Sequence, residues 1–206
     1  MRITMRCLLL LIAGLVWASA PARAQKFDYY VFTLSWAPEF CHENPSNKTP
    51  ECDASARPRF VVHGLWPNLN DGTDPKNCPN TPYKASAVPP GMDNVMPSNI
   101  FRHEWTKHGV CSGMAETAYF NKIATLYKGL TIPINSDGAD QQISPADLRT
   151  KLAAANPGSP ANSFAIQDSG KFLVSIEMCL NKSFQPMTCP KPGDTRTTPV
   201  TIRGRP

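Results

Sequence analysis

FRHEWTKHG at residues 101–109 and FVVHGLWPN at residues 60–68 are the two segments around which the fold is organised. The chain has four histidines, and three of them lie in these segments: His63, His103 and His108. Imidazole, carboxylate and ammonium groups together can move protons and stabilise negative charge on oxygen. We therefore expect the two segments to meet in one acid–base site.

The segment at 101–109 is predicted to lie in a short helix over residues 99–108. Ser98 is suited to cap its N-terminus, and Gly109 to end it. Phe101 and Trp105 are four residues apart, so they share a face and can anchor the helix to a core. The remaining surface of the helix is left for polar side chains.

The polar side chains of this helix fall on or beside one face. At about 100° per residue, Glu104 and His108 share that face and Lys107 lies next to them. His103 borders the same face. The spacing His-Glu-x-x-x-His differs from the His-Glu-x-x-His of zinc proteases and turns the second imidazole about 140° from the first. We therefore expect no metal ion between these histidines; ordinary ion pairing on a solvated helix is the alternative interpretation.

The segment at 60–68 is predicted to end a strand and begin a turn. Phe60–Val62 is an apolar run typical of a strand end, and Gly64 permits a sharp turn. His63 would then stand at the end of a strand, where it can face a helix packed over the sheet. Trp66 follows in the predicted loop, where an indole either fills the core or offers a stacking surface to a base.

Both segments resemble the active-site motifs of the ribonuclease T(2) family, HGLWP and roughly FxxHEWxKHG. Two further stretches are similar to the family: LSWAPEFC at 34–41, like its strand that ends in Trp-x-Pro-x-x-Cys, and SIEMCLNKSF at 175–184, like its late cysteine-bearing strand. The resemblance extends from about residue 27 to about residue 190. It implies an endoribonuclease that acts on single-stranded RNA and does not cleave DNA, which lacks the 2′-hydroxyl.

The implied reaction is a transesterification. The 2′-hydroxyl attacks phosphorus, the 5′-oxygen leaves, and a 2′,3′-cyclic phosphate forms that is later hydrolysed to a 3′-phosphate. Imidazoles suit both proton transfers because their pKa lies near neutrality, and no metal or other cofactor is implied because the substrate supplies the nucleophile. The resemblance implies catalytic roles for His63, Glu104, Lys107 and His108, and substrate binding by His103, Trp66 and Asn68.

Two positions depart from the family pattern. Asn68 follows HGLWP where Asp is frequent, and an amide carries both a donor and an acceptor. We therefore expect weak base specificity. Ser35 stands before Trp36 where many relatives have Gln, which weakens any inference about a second base pocket.

The N-terminus has the pattern of a secretory signal peptide. Arg2 and Arg6 form a basic region, residues 7–17 are apolar but too short to cross a bilayer, and Ala22-Arg23-Ala24 is a cleavage site of the A-x-A type. We expect cleavage before Gln25, and no membrane anchor afterwards. The protein is then periplasmic or secreted, and residues 25–206 form the catalytic domain.

Cleavage would leave six cysteines, an even number that favours three disulfides in an oxidising compartment. The residues alone permit fifteen pairings. The family resemblance implies three in particular: Cys41–Cys52, Cys78–Cys111 and Cys179–Cys189. Metal binding by cysteines is disfavoured because the chain has no C-x-x-C spacing.

The remaining pattern predicts a single α+β domain, monomeric, with a mainly antiparallel sheet, packed helices and disulfide staples. Strands are predicted at 27–36, 163–168 and 171–180, with a hairpin turn at Ser169-Gly170. Helices are predicted at 115–128 and at 145–155, the second capped by Ser144. Long loops are expected at 42–58 and 67–99, and an irregular tail from residue 190.

The main alternative to an enzyme is a secreted RNA-binding module of the same fold that has lost a catalytic histidine. Its composition would keep the tryptophan and the disulfides. All the motif histidines are present here, which favours the enzyme. The full chain has a formal net charge of +5, but residues 1–24 hold three arginines and no acids, so binding to an anionic polymer must come from local clusters of charge.

Overall fold

The structure is a computed structural model that describes residues 26–53, 59–75, 78–134 and 138–204. The expected signal peptide lies outside the described residues. Within the described ranges, no helix is long and apolar enough to cross a membrane.

The centre of the molecule is a four-stranded antiparallel sheet in the order β2-β1-β5-β4. Successive side chains on each strand point to opposite faces of the sheet, and the side chains on one face pack into a core beneath the helices. On β1, for example, Phe32, Leu34 and Trp36 point into this core and are at most 1% exposed. The strands are β1 (Tyr29–Trp36), β2 (Phe60–Asn68), β4 (Phe164–Asp168) and β5 (Leu173–Leu180); β3 (Gln141–Ile143) and β6 (Val200–Ile202) form a separate pair.

The described residues form four α-helices, and the two longest cover the inner face of the sheet. They are α1 (Ala37–Glu43), α2 (Phe101–Lys107), α3 (Glu116–Gly129) and α4 (Pro145–Ala155). On α3, Tyr119, Phe120 and Ile123 follow helical spacing and are fully buried. The Ser144 hydroxyl accepts a hydrogen bond from the Asp147 N–H at 3.0 Å, as expected of the α4 cap. The predicted α+β class is confirmed.

Three expectations about elements are wrong. β2 does not end at Val62 but continues through HGLWPN to Asn68, because β1 pairs with it along its whole length. α1 begins directly after Trp36, where a strand end and then a loop were expected; its sequence signal was a proline in the first turn. The tail contains β6, whose pairing with β3 is too short and too distant in sequence to be visible as a local pattern.

The predicted helix over 99–108 is also modified at both ends. A 3-10 helix, Ser98–Ile100, precedes α2, and the Ser98 side chain makes no capping hydrogen bond. α2 ends at Lys107, one residue before His108. Gly109 does not end the helical segment as expected, because it begins a second 3-10 helix, Gly109–Ser112.

Three disulfides staple the described chain: Cys41–Cys52, Cys78–Cys111 and Cys179–Cys189. They are the pairs that the family resemblance implies. The middle bridge closes the longest interval, 33 residues, and joins the loop after β2 to the 3-10 helix that follows His108. It therefore constrains the backbone on which the two motif segments meet.

Candidate active site

His63 lies at an irregularity in the sheet. The register between β1 and β2 shifts so that Thr33 faces Gly64 and Leu34 faces Val62, which leaves His63 without a partner on β1. Such a β-bulge re-aims a side chain, and bulges are frequent beside active sites. The His63 side chain is 45% exposed although both neighbours in the chain are buried. The bulge was not visible in the sequence.

Glu104 brings α2 into contact with β2. Its side chain is buried, and Oε2 accepts a hydrogen bond from the Trp66 indole Nε1–H at 2.7 Å. Oε1 lies 3.7 Å from Nε2 of His63 and has no hydrogen-bond partner among the described residues. Gly64 makes this approach possible, since a Cβ there would overlap both the Trp66 nitrogen and the Glu104 carboxylate. One carboxyl group thus joins the two motif segments.

Trp66 stands between the two catalytic candidates. Its ring stacks on His108, with ring centroids 5.1 Å apart and 29° between the planes, and meets His63 edge-on at 5.2 Å. It is half-buried in β2 rather than in a loop. The indole therefore fixes the positions of both imidazoles and of Glu104 at once.

The ionisable groups of the site are shifted mainly by burial. Burial raises the pKa of Glu104 to about 7, against the opposing effects of the Trp66 hydrogen bond and the Lys107 charge. Burial lowers the pKa of His108 to about 3, with further lowering by Lys107 and the other two histidines. The pKa of His63 is lowered by burial and by the charges of His103 and Lys107. Burial and the nearby positive charges thus favour the neutral forms of His63 and His108.

The other predicted residues lie around this centre. His103 is exposed on α2, and its ring meets that of His108 at 6.4 Å. Lys107 is exposed at the last position of α2. Asn68 lies at the end of β2, only 7% exposed, and its Nδ2 donates to the Trp66 carbonyl at 3.3 Å. The structure therefore brings His103 and Lys107 to the site, while the Asn68 amide is partly engaged by the backbone.

His103, Glu104 and His108 come closer together than the helical spacing suggested. Their candidate ligand atoms all lie within 4.8 Å of one another. The expected separation was wrong: the His108 N–H still donates to the Glu104 carbonyl at 3.1 Å, but a φ of −117° turns the His108 side chain away from the direction that a regular helix would give it. Oε2 of Glu104 is engaged by the Trp66 indole, so only Oε1 is available to a metal ion. The absence of a metal between these histidines therefore stays a prediction.

A cleft of about 280 Å³ adjoins His63, and the motif analysis did not identify it. Its walls come from α1, β1, β2, β5 and the 3-10 helices Pro50–Cys52 and Ser98–Ile100, so no short pattern in the sequence encodes it. Apolar groups line most of it, including Val61, Ile100 and Val174. Glu39, Glu43 and Glu51 also line it. Ser35, one of the two departures from the family pattern, lies in its wall next to His63.

A sheet edge that carries a bulged histidine beside a buried carboxyl and a second imidazole defines a class of acid–base enzyme. The model of the ribonuclease T2 family matches residues 27–189. A ribonuclease of Aeromonas hydrophila is 30% identical over 79% of this chain and 76% of its own length. The extracellular ribonuclease LE of Solanum lycopersicum is 29% identical over 78% of this chain and 79% of its own.

Solved structures agree on the fold. A crystal structure of an RNase MC1 mutant in complex with 5′-UMP superposes with a TM-score of 0.67 at 23% identity, covering 85% of this chain and 98% of that one. The chain belongs to the ribonuclease T2 family, a family of endoribonucleases.

Proposed function

We propose that this protein is an exported endoribonuclease that cleaves single-stranded RNA by metal-independent transesterification. The reaction passes through a 2′,3′-cyclic phosphate and ends in a 3′-phosphate. The observation that carries the proposal is the contact of two imidazoles, His63 and His108, with one indole whose N–H is bonded to the buried Glu104. Two imidazoles on either side of a phosphate can take one proton and give another.

His108 is the general base toward the 2′-hydroxyl. A base must be unprotonated before the reaction, and burial holds the pKa of His108 at about 3. The imidazole is therefore neutral at physiological pH before substrate binds. A phosphate bound nearby raises the pKa of the imidazole, which strengthens it as a base when substrate is present.

His63 is the general acid toward the 5′-oxygen. Its exposed side chain can reach a leaving group, and the Glu104 Oε1 lies 3.7 Å from its Nε2. The negative charge of the bound phosphate and of an ionised Glu104 both favour the protonated imidazole. Substrate binding therefore opposes the lowering of the His63 pKa by burial, His103 and Lys107.

Lys107 and Glu104 act on the phosphoryl oxygens. The Lys107 ammonium lies at the end of α2 beside the site and stabilises the charge that grows on the non-bridging oxygens. Glu104, with a pKa of about 7, is protonated in a substantial fraction of molecules near neutrality and can donate a hydrogen bond to one of these oxygens. His103 binds the phosphate, and Trp66 contacts the base or ribose.

The activity is tested by incubating the purified mature protein with total RNA, with and without EDTA. We expect fragments with 2′,3′-cyclic and 3′-phosphate ends in both conditions, and no cleavage of single-stranded DNA. His108→Ala should lower the rate on RNA by roughly 10²–10⁴-fold, and His42→Ala, which replaces an exposed histidine outside both motif segments, serves as the control. Loss of activity with EDTA would instead favour a metal-dependent enzyme.

The two histidine roles are separated by the leaving group. A nitrophenyl ester of a nucleoside 3′-phosphate releases an acidic phenol that needs no donated proton. His63→Ala should therefore recover most of its rate on this ester, while His108→Ala stays impaired because the 2′-hydroxyl must still lose its proton. Rescue of His108→Ala instead would mean that the two roles are reversed.

Base preference follows from Asn68. Its Nδ2 is engaged by the Trp66 carbonyl, and its Oδ1 remains able to accept a hydrogen bond. We expect cleavage after all four nucleotides, with a narrower preference in Asn68→Asp because a carboxylate only accepts. Sequencing of early products from both proteins measures this. Strict cleavage after a single base by the wild-type protein would contradict it.

The protein acts as a monomer in the periplasm or outside the cell. Three disulfides among the described residues suit an oxidising compartment. An extracellular relative supports export.

A further inference from the structure

Ser35 lies next to His63 on the neighbouring strand. It is a half-buried residue of β1, and its Oγ is 3.4 Å from Nδ1 of His63. The other ring nitrogen, Nε2, is 3.7 Å from Glu104 Oε1. The imidazole is therefore held between two oxygens, one on each side of the ring. The bulge is what turns His63 toward Ser35, whose regular partner on β2 is Val61.

Charged groups of both signs surround His63, so the hydrogen-bond partner of its Nδ1 can influence whether the ring is protonated. His103 and Lys107 on α2 oppose protonation of the ring, and Glu104 on the same helix favours it when ionised. Glu39 and Glu43 on α1, and Glu51 beyond it, line the cleft that His63 also lines. Among the described residues, Ser35 is the hydrogen-bond partner of Nδ1. It is a neutral oxygen that can accept from a protonated ring.

We propose that Ser35 is a positioning residue for the general acid: its hydroxyl accepts the Nδ1–H of protonated His63 and keeps Nε2–H directed at the leaving 5′-oxygen. The proposal rests on the function proposed above. In the step, the Nε2 proton passes to the 5′-oxygen as the P–O bond breaks. The neutral ring then retains its Nδ1 proton, still bonded to Ser35, so no rotation of the ring is needed before it is reprotonated at Nε2.

Removal of the hydroxyl should have two effects. A hydrogen bond to a charged donor is stronger than one to a neutral donor, so its loss lowers the pKa of His63, by about half a unit. The acid is needed in its protonated form, so the alkaline limb of the pH–rate profile on RNA should move to lower pH by the same amount. The ring also loses its orientation, and we expect kcat on RNA to fall roughly 3–10-fold at neutral pH with little change in KM.

The test compares Ser35→Ala and Ser35→Thr with a matched control, Ser175→Ala, in the full mature protein. Ser175 is the partner of Ser35 on β5 and is buried in the same sheet, so its removal leaves a similar gap away from His63. Three measurements are made on each variant: the pKa of His63 by NMR titration, the pH–rate profile on a dinucleotide, and the rate on the nitrophenyl ester. Thr keeps the hydroxyl and is favoured in a strand.

The proposal requires a lowered His63 pKa and a shifted alkaline limb in Ser35→Ala, restoration in Ser35→Thr, and normal values in Ser175→Ala. It also requires a wild-type rate for Ser35→Ala on the ester, which needs no acid. An unchanged His63 pKa, or an equal loss of rate on both substrates, would overturn it. If the wild-type protein failed to cleave RNA, the proposed function and the catalytic role of Ser35 would both fall, while the NMR titration would still report whether Ser35 binds His63.

Discussion

Burial and charge act on the Glu104 carboxyl in opposite directions, and burial has the larger effect. The group is fully buried, yet it is bonded to Trp66 and lies near Lys107, both of which favour ionisation. Its pKa is nevertheless raised to about 7. In the unfolded chain the same group ionises near pH 4.5, so folding favours its protonated form.

This shift predicts a pH dependence of stability. Between pH 4.5 and 7 the folded state holds a proton on Glu104 that the unfolded state has lost, so the contribution of this group to the free energy of unfolding falls as pH rises, by roughly 3 kcal/mol in total. Glu104→Gln removes that titration and keeps the shape. Urea unfolding of both proteins at several pH values should show the free energy of unfolding of the wild type falling by this amount, relative to that of Glu104→Gln, between pH 4.5 and 7.

His63 and His108 also make stability depend on pH, but this dependence largely cancels in the comparison of the two proteins. The lowered pKa values of His63 and His108 make their contributions rise with pH up to about 6.5, opposite in sign to that of Glu104. Both are present in the wild type and in Glu104→Gln, so they largely cancel in the difference. A difference that stays constant from pH 4.5 to 7 would contradict the raised pKa of Glu104.

The motifs predicted that the three histidines, Glu104 and Lys107 meet in one site, and the structure brings them together, whereas their contacts were not predictable from the sequence. Their catalytic roles stay predictions. The hydrogen bond from Trp66 to Glu104 depends on how α2 packs against the edge strand β2. The contact between Ser35 and His63 depends on a bulge, which is a property of pairing between strands.

At the scale of elements, the junction of β2 and α2 depends on one missing side chain. Gly64→Ala should lower kcat/KM on RNA by roughly 10–100-fold, because a Cβ there overlaps the Trp66 indole and the Glu104 carboxylate and forces both to move. Gly129→Ala is the control, since a Cβ at that end of α3 meets open space. Assays of both variants on a dinucleotide check this; equal activities would mean that the Trp66–Glu104 contact is dispensable.

Loss of the Cys78–Cys111 disulfide should lower stability and activity more than loss of either other disulfide. Loop-closure entropy gives the 33-residue interval of Cys78–Cys111 roughly 4 kcal/mol, against roughly 3 kcal/mol for the 10-residue interval of Cys179–Cys189. Replacing the first pair by alanine should also lower kcat, because Cys111 anchors the turn directly after His108. Denaturation midpoints and RNA cleavage rates for the two double variants are the measurements. Equal loss of kcat in both would contradict the anchoring role.

Elements with strong local patterns were predicted, and elements defined by distant partners were not. β1, β5, α3 and α4 have runs or spacings that identify them within one window of sequence. β3 and β6 have three residues each and exist through their pairing with one another. α1 was missed because its sequence, which follows a buried strand directly, carries a proline that is equally compatible with a turn.

At the scale of the whole molecule, the net charge depends on whether the predicted signal peptide is removed. The full chain has a formal net charge of +5, and three arginines lie in the first 24 residues, so cleavage there leaves 18 basic and 16 acidic side chains. The mature protein is then close to neutral. If the protein binds RNA as proposed, we expect the attraction to come from the local group of His103 and Lys107 beside the candidate catalytic residues rather than from the charge of the whole surface.

We predict that the signal peptide is cleaved after the Ala22-Arg23-Ala24 site. Mass spectrometry of protein recovered from the exported fraction should give a chain that begins at Gln25, in part as pyroglutamate. Ala24→Leu should block processing because the peptidase requires a small residue there, while Ala20→Leu, outside the motif, should be processed normally. Active exported protein that retains Met1 would contradict the prediction.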